Sequence, residues 1–142
     1  MSTNSDQTDK TGQIDKKTIL VAVTDIFFYT KVRDALAPQG YRLEKARAQQ
    51  DIAEKAAATG PAVVLLDMND QAIDAFQALQ MLKNDPRFKA IPVLAYANHE
   101  EVDTWNRAKT LGVTKIVSRN EFSSRTRELV DELVTPGVKG KT

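Results

Sequence analysis

The 142-residue chain has no cysteine and a single histidine, His99. Without thiols there is no disulfide framework, no thiol nucleophile and no thiolate metal site, and one imidazole cannot build a histidine cluster, which excludes zinc and haem sites. An excess of one charge sign is also lacking. Twenty Lys and Arg against nineteen Asp and Glu leave a net charge of +1, so no overall field favours nucleic acid or an anionic membrane. No apolar run approaches the length of a membrane span, and the first residues lack the apolar stretch of a secretory signal. The expectation is a cytoplasmic protein with neither nucleic-acid nor membrane partners. Glycine is missing from Thr24-Asp25-Ile26-Phe27-Phe28-Tyr29-Thr30, the turn after the first apolar run, where a nucleotide site would need a glycine-rich loop. No G-x-S-x-G nucleophile motif occurs either, and the chain reads as a non-enzyme.

What is present is an alternation of short apolar runs with longer amphipathic stretches, the pattern of repeated strand-helix units. The length and a hydrophobic fraction of 42% fit one domain with a real core. Residues 1–17 are polar apart from Ile14 and read as a flexible tail; residues 135–142, punctuated by Pro136 and Gly137, read as a second one. Between them, residues 18–134 form the domain. A first strand covers Thr18 to Val23. The helix after it carries Phe28, Val32 and Leu36 at spacings of four, with Asp25 placed to cap it. Pro38-Gln39-Gly40 ends that helix, and Tyr41 to Ala46 alternates like a strand at a sheet edge. An alanine-rich helix from Gln50 to Ala58 precedes a third strand ending at Asp67. Further helices are expected at Ala72–Lys83, Glu100–Leu111 and Ser123–Val134, and further strands at Ile91–Ala97 and Lys115–Ser118. Five strands alternating with five helices predict a doubly wound α/β fold, a parallel sheet of order 2-1-3-4-5.

The run Val63-Val64-Leu65-Leu66-Asp67 is the chain's most informative segment. Bounded by Gly60-Pro61 and Asn69-Asp70, it reads as a strand buried on both faces. Reactive groups in such sheets sit at the carboxyl ends of strands, which is where Asp67 falls; the bland alternative is that it only begins a turn.

The chain at this point resembles the receiver domain of two-component response regulators, the CheY-like, flavodoxin-like fold. The matching pieces are Ile19-Leu20-Val21-Ala22-Val23-Thr24-Asp25, Gly40-Tyr41, Pro61 through Asp67, Ile91 through Ala97, Asp74, Ala108 and Leu111-Gly112, in order along residues 18–134. The resemblance implies a signalling role and marks Asp67 as the equivalent of the phosphoacceptor. Phosphoryl transfer to a carboxylate gathers negative charge and needs a magnesium ion and a fixed cation. Receivers take the metal with an acidic pair after the first strand, the acceptor, and a backbone carbonyl two residues beyond it, here Asn69. The pair falls on Val23 and Thr24, with Asp25 just after it and pointing along the helix start. Asp67 is then the only well-placed carboxylate, and no useful metal site is expected. The hydroxyl residue near the end of strand four falls on Ala97, the lysine after strand five on Arg119, the proline after that on Asn120, and the aromatic switch on Ile116. Arg119 keeps the charge with a different reach and geometry, and an ion pair between it and Asp67 is expected.

The resemblance therefore implies a degenerate, pseudo-receiver domain standing alone: an interaction module with no cofactor. It would present helix four, strand five and helix five, with Trp105 and Ile116, to a protein partner in a signalling pathway or to a second copy. The alternative is a residual receiver carrying phosphate on Asp67 with Mg2+ in a phosphorelay. Trp105 reads either as core or as an exposed aromatic anchor. His99 reads as a loop residue, and Arg42, Lys45 and Arg47 as charges that discourage edge pairing.

Overall fold

A computed structural model describes residues 17–134; both tails predicted from the sequence lie outside this range, apart from Lys17. The strands are β1 (Thr18–Ala22), the more polar β2 (Arg42–Lys45), β3 (Val63–Asp67), β4 (Val93–Ala97) and β5 (Lys115–Ser118). The helices between and after them are α1 (Ile26–Leu36), α2 (Gln49–Thr59), α3 (Ala75–Asn84), α4 (Val102–Thr110) and α5 (Arg119–Val134). The sheet is wholly parallel, in the order β2-β1-β3-β4-β5.

Strand alternation divides the core into two layers, as a two-residue side-chain period requires. Leu20, Ala22, Val64, Leu66, Val93 and Ala95 face α2, α3 and α4. Ile19, Val21, Val63, Leu65, Leu94 and Tyr96 face α1 and α5, meeting Phe28, Val32, Phe122 and Leu129. All residues of β3 and β4 are buried, the expected state of central strands covered on both faces. The topology reverses between β1 and β3, which opens a crevice at their carboxyl ends.

Helix starts differ from expectation by one residue at α2 (Gln49, not Gln50), two at α4 (Val102, not Glu100), three at α3 and four at α5. α3 begins at Ala75 rather than Ala72, because the Asp70 carboxylate accepts the Ala72 and Ile73 N–H groups at 2.9 and 3.0 Å and holds them in a turn; Asp74 then caps the helix through Gln77 N–H at 3.1 Å. α5 begins at Arg119 rather than Ser123. Ser118 Oγ accepts the Glu121 N–H at 3.0 Å, so that Ser118-Arg119-Asn120-Glu121, with glutamate three residues after serine, starts the helix directly from β5. The helical backbone is interrupted at Arg125, with φ −129° and ψ 28°. Ser123 lies just before that break.

Candidate functional site

The crevice is an open cleft of about 490 Å3 lined by Thr24, Asp25, Asp67, Asn69, Asp70, Gln71, Asn98 and Arg119. Asp67 lies at its floor, 4% exposed, as the last residue of β3 and on the sheet face that carries α1 and α5. Its Oδ1 accepts the Asn69 N–H at 2.8 Å. Burial pushes the Asp67 pKa up; the Asn69 N–H and the Arg119 guanidinium pull it back, the nearby Asp70 carboxylate adds to the rise, and the balance stays above the ordinary value.

Arg119, the first residue of α5, reaches across the cleft. Its guanidinium stands 3.9 Å from Asp67 Oδ2 and 3.7 Å from Asp25 Oδ2, beyond hydrogen-bond distance of both. Its planar group lies over the Phe28 ring at 4.7 Å and the Tyr96 ring at 5.4 Å. Aromatic faces attract a guanidinium. Phe28, Tyr96 and Phe122 in turn pack together with centroids 4.6, 4.7 and 5.7 Å apart. The ion pair expected between Arg119 and Asp67 is thus present in a loose form, shared with Asp25. Asp25 Oδ1 is engaged elsewhere, capping α1 through Phe27 and Phe28 N–H at 2.9 and 3.1 Å.

Asp67 shares the cleft with two further carboxylates, Asp25 and Asp70. Asp70 projects back to the end of β1, where its Oδ2 accepts Thr24 N–H at 2.7 Å and its Oδ1 accepts the Thr24 hydroxyl at 2.8 Å. With Ala72 and Ile73 it receives four hydrogen bonds. Burial pushes its pKa up, but these donors outweigh burial and hold the carboxyl below the ordinary range. The β3-α3 turn is thereby tied to Thr24, a position that the resemblance assigns to a metal-binding acid. Other positions that the resemblance singles out are packed in the core layers. Val23 is fully buried against α1 and α5, Ala97 is fully buried on the opposite layer, and Ile116 packs half-buried against that same layer.

A second network fixes the cleft's far wall. Asn69 Nδ2 donates to Glu101 Oε1 at 2.7 Å, Asn98 Nδ2 donates to Glu101 Oε2 at 3.2 Å, and the Asn98 N–H donates to Asn69 Oδ1 at 3.1 Å. The Trp105 indole N–H donates to the Asn98 carbonyl at 3.0 Å, and its ring packs half-buried on the core. Trp105 thus packs part of its ring on the core and leaves part of it exposed on α4. His99 is an exposed residue of the β4-α4 loop. Arg42, Lys45 and Arg47 lie along and just beyond the edge strand, with Lys45 over the Tyr29 ring at 4.7 Å.

Tyr96 went unnoticed in the sequence. It pairs in register with Asp67 across β3 and β4, and its side chain is fully buried. Burial, with the Asp67 carboxylate next, raises the pKa of its phenol. The hydroxyl meets no partner at hydrogen-bond geometry, although it lies close enough to Asp67 to lower that carboxyl's pKa. A buried unpaired hydroxyl is a cost. Tyr96→Phe is therefore expected to leave the fold intact and raise stability by up to about 1 kcal/mol, read from urea denaturation midpoints; a loss of that size would show that the hydroxyl is satisfied after all.

No family model matches the chain. A search of curated proteins also finds no match. Solved structures do match, with 346 chains alike in fold. The phosphorylated cyanobacterial phytochrome response regulator RcpA is 20% identical, with a TM-score of 0.70 over 84% of this chain and 92% of its own. The signal receiver domain of a signal transduction histidine kinase from Syntrophus aciditrophicus is 18% identical, with a TM-score of 0.76 over 84% of this chain and 91% of its own. The chemotaxis response regulator CheY4 of Vibrio cholerae is 19% identical, with a TM-score of 0.69 over 81% of this chain and 98% of its own. The fold is that of response-regulator receiver domains, with the 2-1-3-4-5 parallel sheet. Among the described residues no helix is long and apolar enough to cross a membrane.

Proposed function

We propose that the chain is a receiver-like module of a two-component or phosphorelay pathway that acts by phosphorylation-independent protein-protein interaction rather than as an enzyme. The observation that carries this reading is the position of Arg119, whose guanidinium stands between Asp25 and Asp67 at 3.7 and 3.9 Å. On this reading Arg119, which matches the receivers' lysine, stands permanently where metal and lysine would otherwise both be. The donors that remain do not suit that ion. Asp70 receives four hydrogen bonds, Asp25 caps a helix, and among the described residues no three His, Cys, Asp or Glu side chains converge on one point. Magnesium demands near-octahedral oxygen ligation. Millimolar magnesium should accordingly produce no saturable change in Trp105 fluorescence or in titration heat.

The switching parts are also replaced by packing. Ala97 offers no hydroxyl, Ile116 is held against the core, and the β4-α4 loop is bound through Asn98 and Glu101 to Asn69. A ligand shifts a conformational equilibrium only by its differential affinity for the two states, and a phosphoryl group here would find few differential contacts. The α4-β5-α5 face, carrying Trp105 and Ile116, is one surface for a protein partner or a second copy, and the setting is cytoplasmic.

The test is to treat the wild type and Asp67→Asn with a small-molecule phosphodonor and magnesium, then measure intact mass and partner affinity. The expected result is no stable adduct, with affinities within about threefold, well under the roughly 1.4 kcal/mol of a tenfold change. The second reading, a residual phosphoacceptor, is favoured by the opening of the cleft onto Asp67. A phosphoryl adduct on the wild type alone, with a tenfold change in affinity, would establish it.

A further inference from the structure

The described residues include three large hydrophobic side chains that stand well exposed: Ile26 at 60%, Phe27 at 83% and Val102 at 61%. Single exposed hydrophobics are common on any surface. These three share one end of the molecule. Ile26 and Phe27 open α1, directly after Asp25, and Val102 opens α4, directly after Glu101, so they flank the cleft from the two helical layers.

That end is also strongly acidic, although the whole chain is almost neutral. The turns that follow β1, β3, β4 and β5, with the first helical turns they lead into, carry Asp25, Asp70, Asp74, Glu100, Asp103 and Glu121 besides Asp67 and Glu101. Arg119 is the one Lys or Arg in those segments, and the turn after β2, at the same end of the sheet, adds Arg47 and Asp51. Helix N-termini favour acids on their own account, and capping explains Asp25 and Asp74. Capping does not explain the exposed pair Glu100 and Asp103, nor a phenyl ring left 83% in water.

We propose that this end of the sheet is a docking face for a segment of another protein that sets lysine or arginine beside apolar side chains. Phe27, Ile26 and Val102 take the apolar side chains, and the carboxylates around the cleft take the basic ones. The charge on the face selects the occupant, since an acidic or a neutral apolar segment would meet like charge or leave carboxylates unpaired. The docking face rests on the reading of the chain as an interaction module and adds a surface distinct from α4-β5-α5.

The test uses the full chain, labelled for amide resonances, and three blocked twelve-residue peptides: lysine with leucine, glutamate with leucine, and lysine with serine. The lysine-leucine peptide should bind saturably and at least tenfold more tightly than the others, shifting the amides of Phe27, Asn69, Val102 and Arg119. Phe27→Ser should weaken it tenfold or more while leaving the melting temperature unchanged. Equal binding of either control peptide, shifts confined to β5 and the outer face of α4, or a Phe27→Ser affinity within twofold would overturn the proposal. So would a concentration-dependent dimer that shifts the same amides without any peptide, which would name a second copy as occupant. Pretreatment with phosphodonor separates the two readings. A change in peptide affinity after phosphorylation rejects the phosphorylation-independent function and leaves the docking face standing, whereas failure of the peptide to bind rejects the docking face alone.

Discussion

Asp70→Ala is expected to lower stability by about 2–3 kcal/mol, because it strips a charged acceptor from several partly buried donors at once. Thr24 N–H and Oγ1, Ala72 N–H and Ile73 N–H all lose their partner together. For a domain of this size the melting temperature should fall by roughly 6–15 °C. Asp70→Asn is the informative companion. It keeps an acceptor oxygen but turns an amide NH2 toward one of the donors, so it should recover only part of the loss. The pH dependence follows from the lowered pKa of Asp70 in the folded state. Its stabilisation is fully present above the unfolded value of about 3.9 and is lost as pH falls through the folded one. Thermal melts between neutral and acid pH should therefore show a shallower acid limb in Asp70→Ala than in the wild type. An unchanged limb would mean that the carboxylate is not held as described.

Asp67→Asn should act in the opposite direction and raise stability by about 1–2 kcal/mol. The wild-type carboxylate is 4% exposed, its attraction to Arg119 is loose, and burial raises its pKa. For an acid whose folded pKa is raised, stability declines as pH climbs from about 3.9 through the folded value, and the cost persists at neutral pH. Asparagine removes the charge and can still accept the Asn69 N–H through its side-chain oxygen. Denaturant unfolding at neutral pH measures the gain. A loss of stability would show that the ion pair with Arg119 outweighs the desolvation of Asp67.

The sheet order and both core layers were legible because the central strands announce themselves as continuous apolar runs. Val63 to Leu66 and Val93 to Ala97 have no competing helical reading at that length. Helix starts were less legible where a side chain, not periodicity, sets them. The Asp70 turn delays α3, and the serine-to-glutamate spacing at Ser118 and Glu121 brings α5 forward to Arg119; the second of these is a recognisable capping pattern. At the cleft, Asp67 follows from its place at a strand end, and Arg119 from the resemblance to receiver domains. Asp70 reads in sequence as ordinary turn residue, since nothing local says that it reaches back 46 positions to Thr24. Tyr96 was hidden in the same way, inside an apolar strand where its ring looked like core and its hydroxyl had no motif to mark it.

The break at Arg125 divides α5 into two unequal pieces, and Arg125 itself forms ion pairs with Glu121 before the break and with Glu128 and Glu132 after it. A continuous helix shares protection along its whole length, whereas an interruption lets one part open while the other stays closed. The six residues that begin with Arg119 belong to the cleft and its aromatic rings, and the longer part anchors through Leu129 and Val130. Hydrogen exchange should resolve α5 into two cooperative units, the cleft unit exchanging faster. The charge that sits over Asp67 thus hangs from a short lever that can loosen without melting the domain.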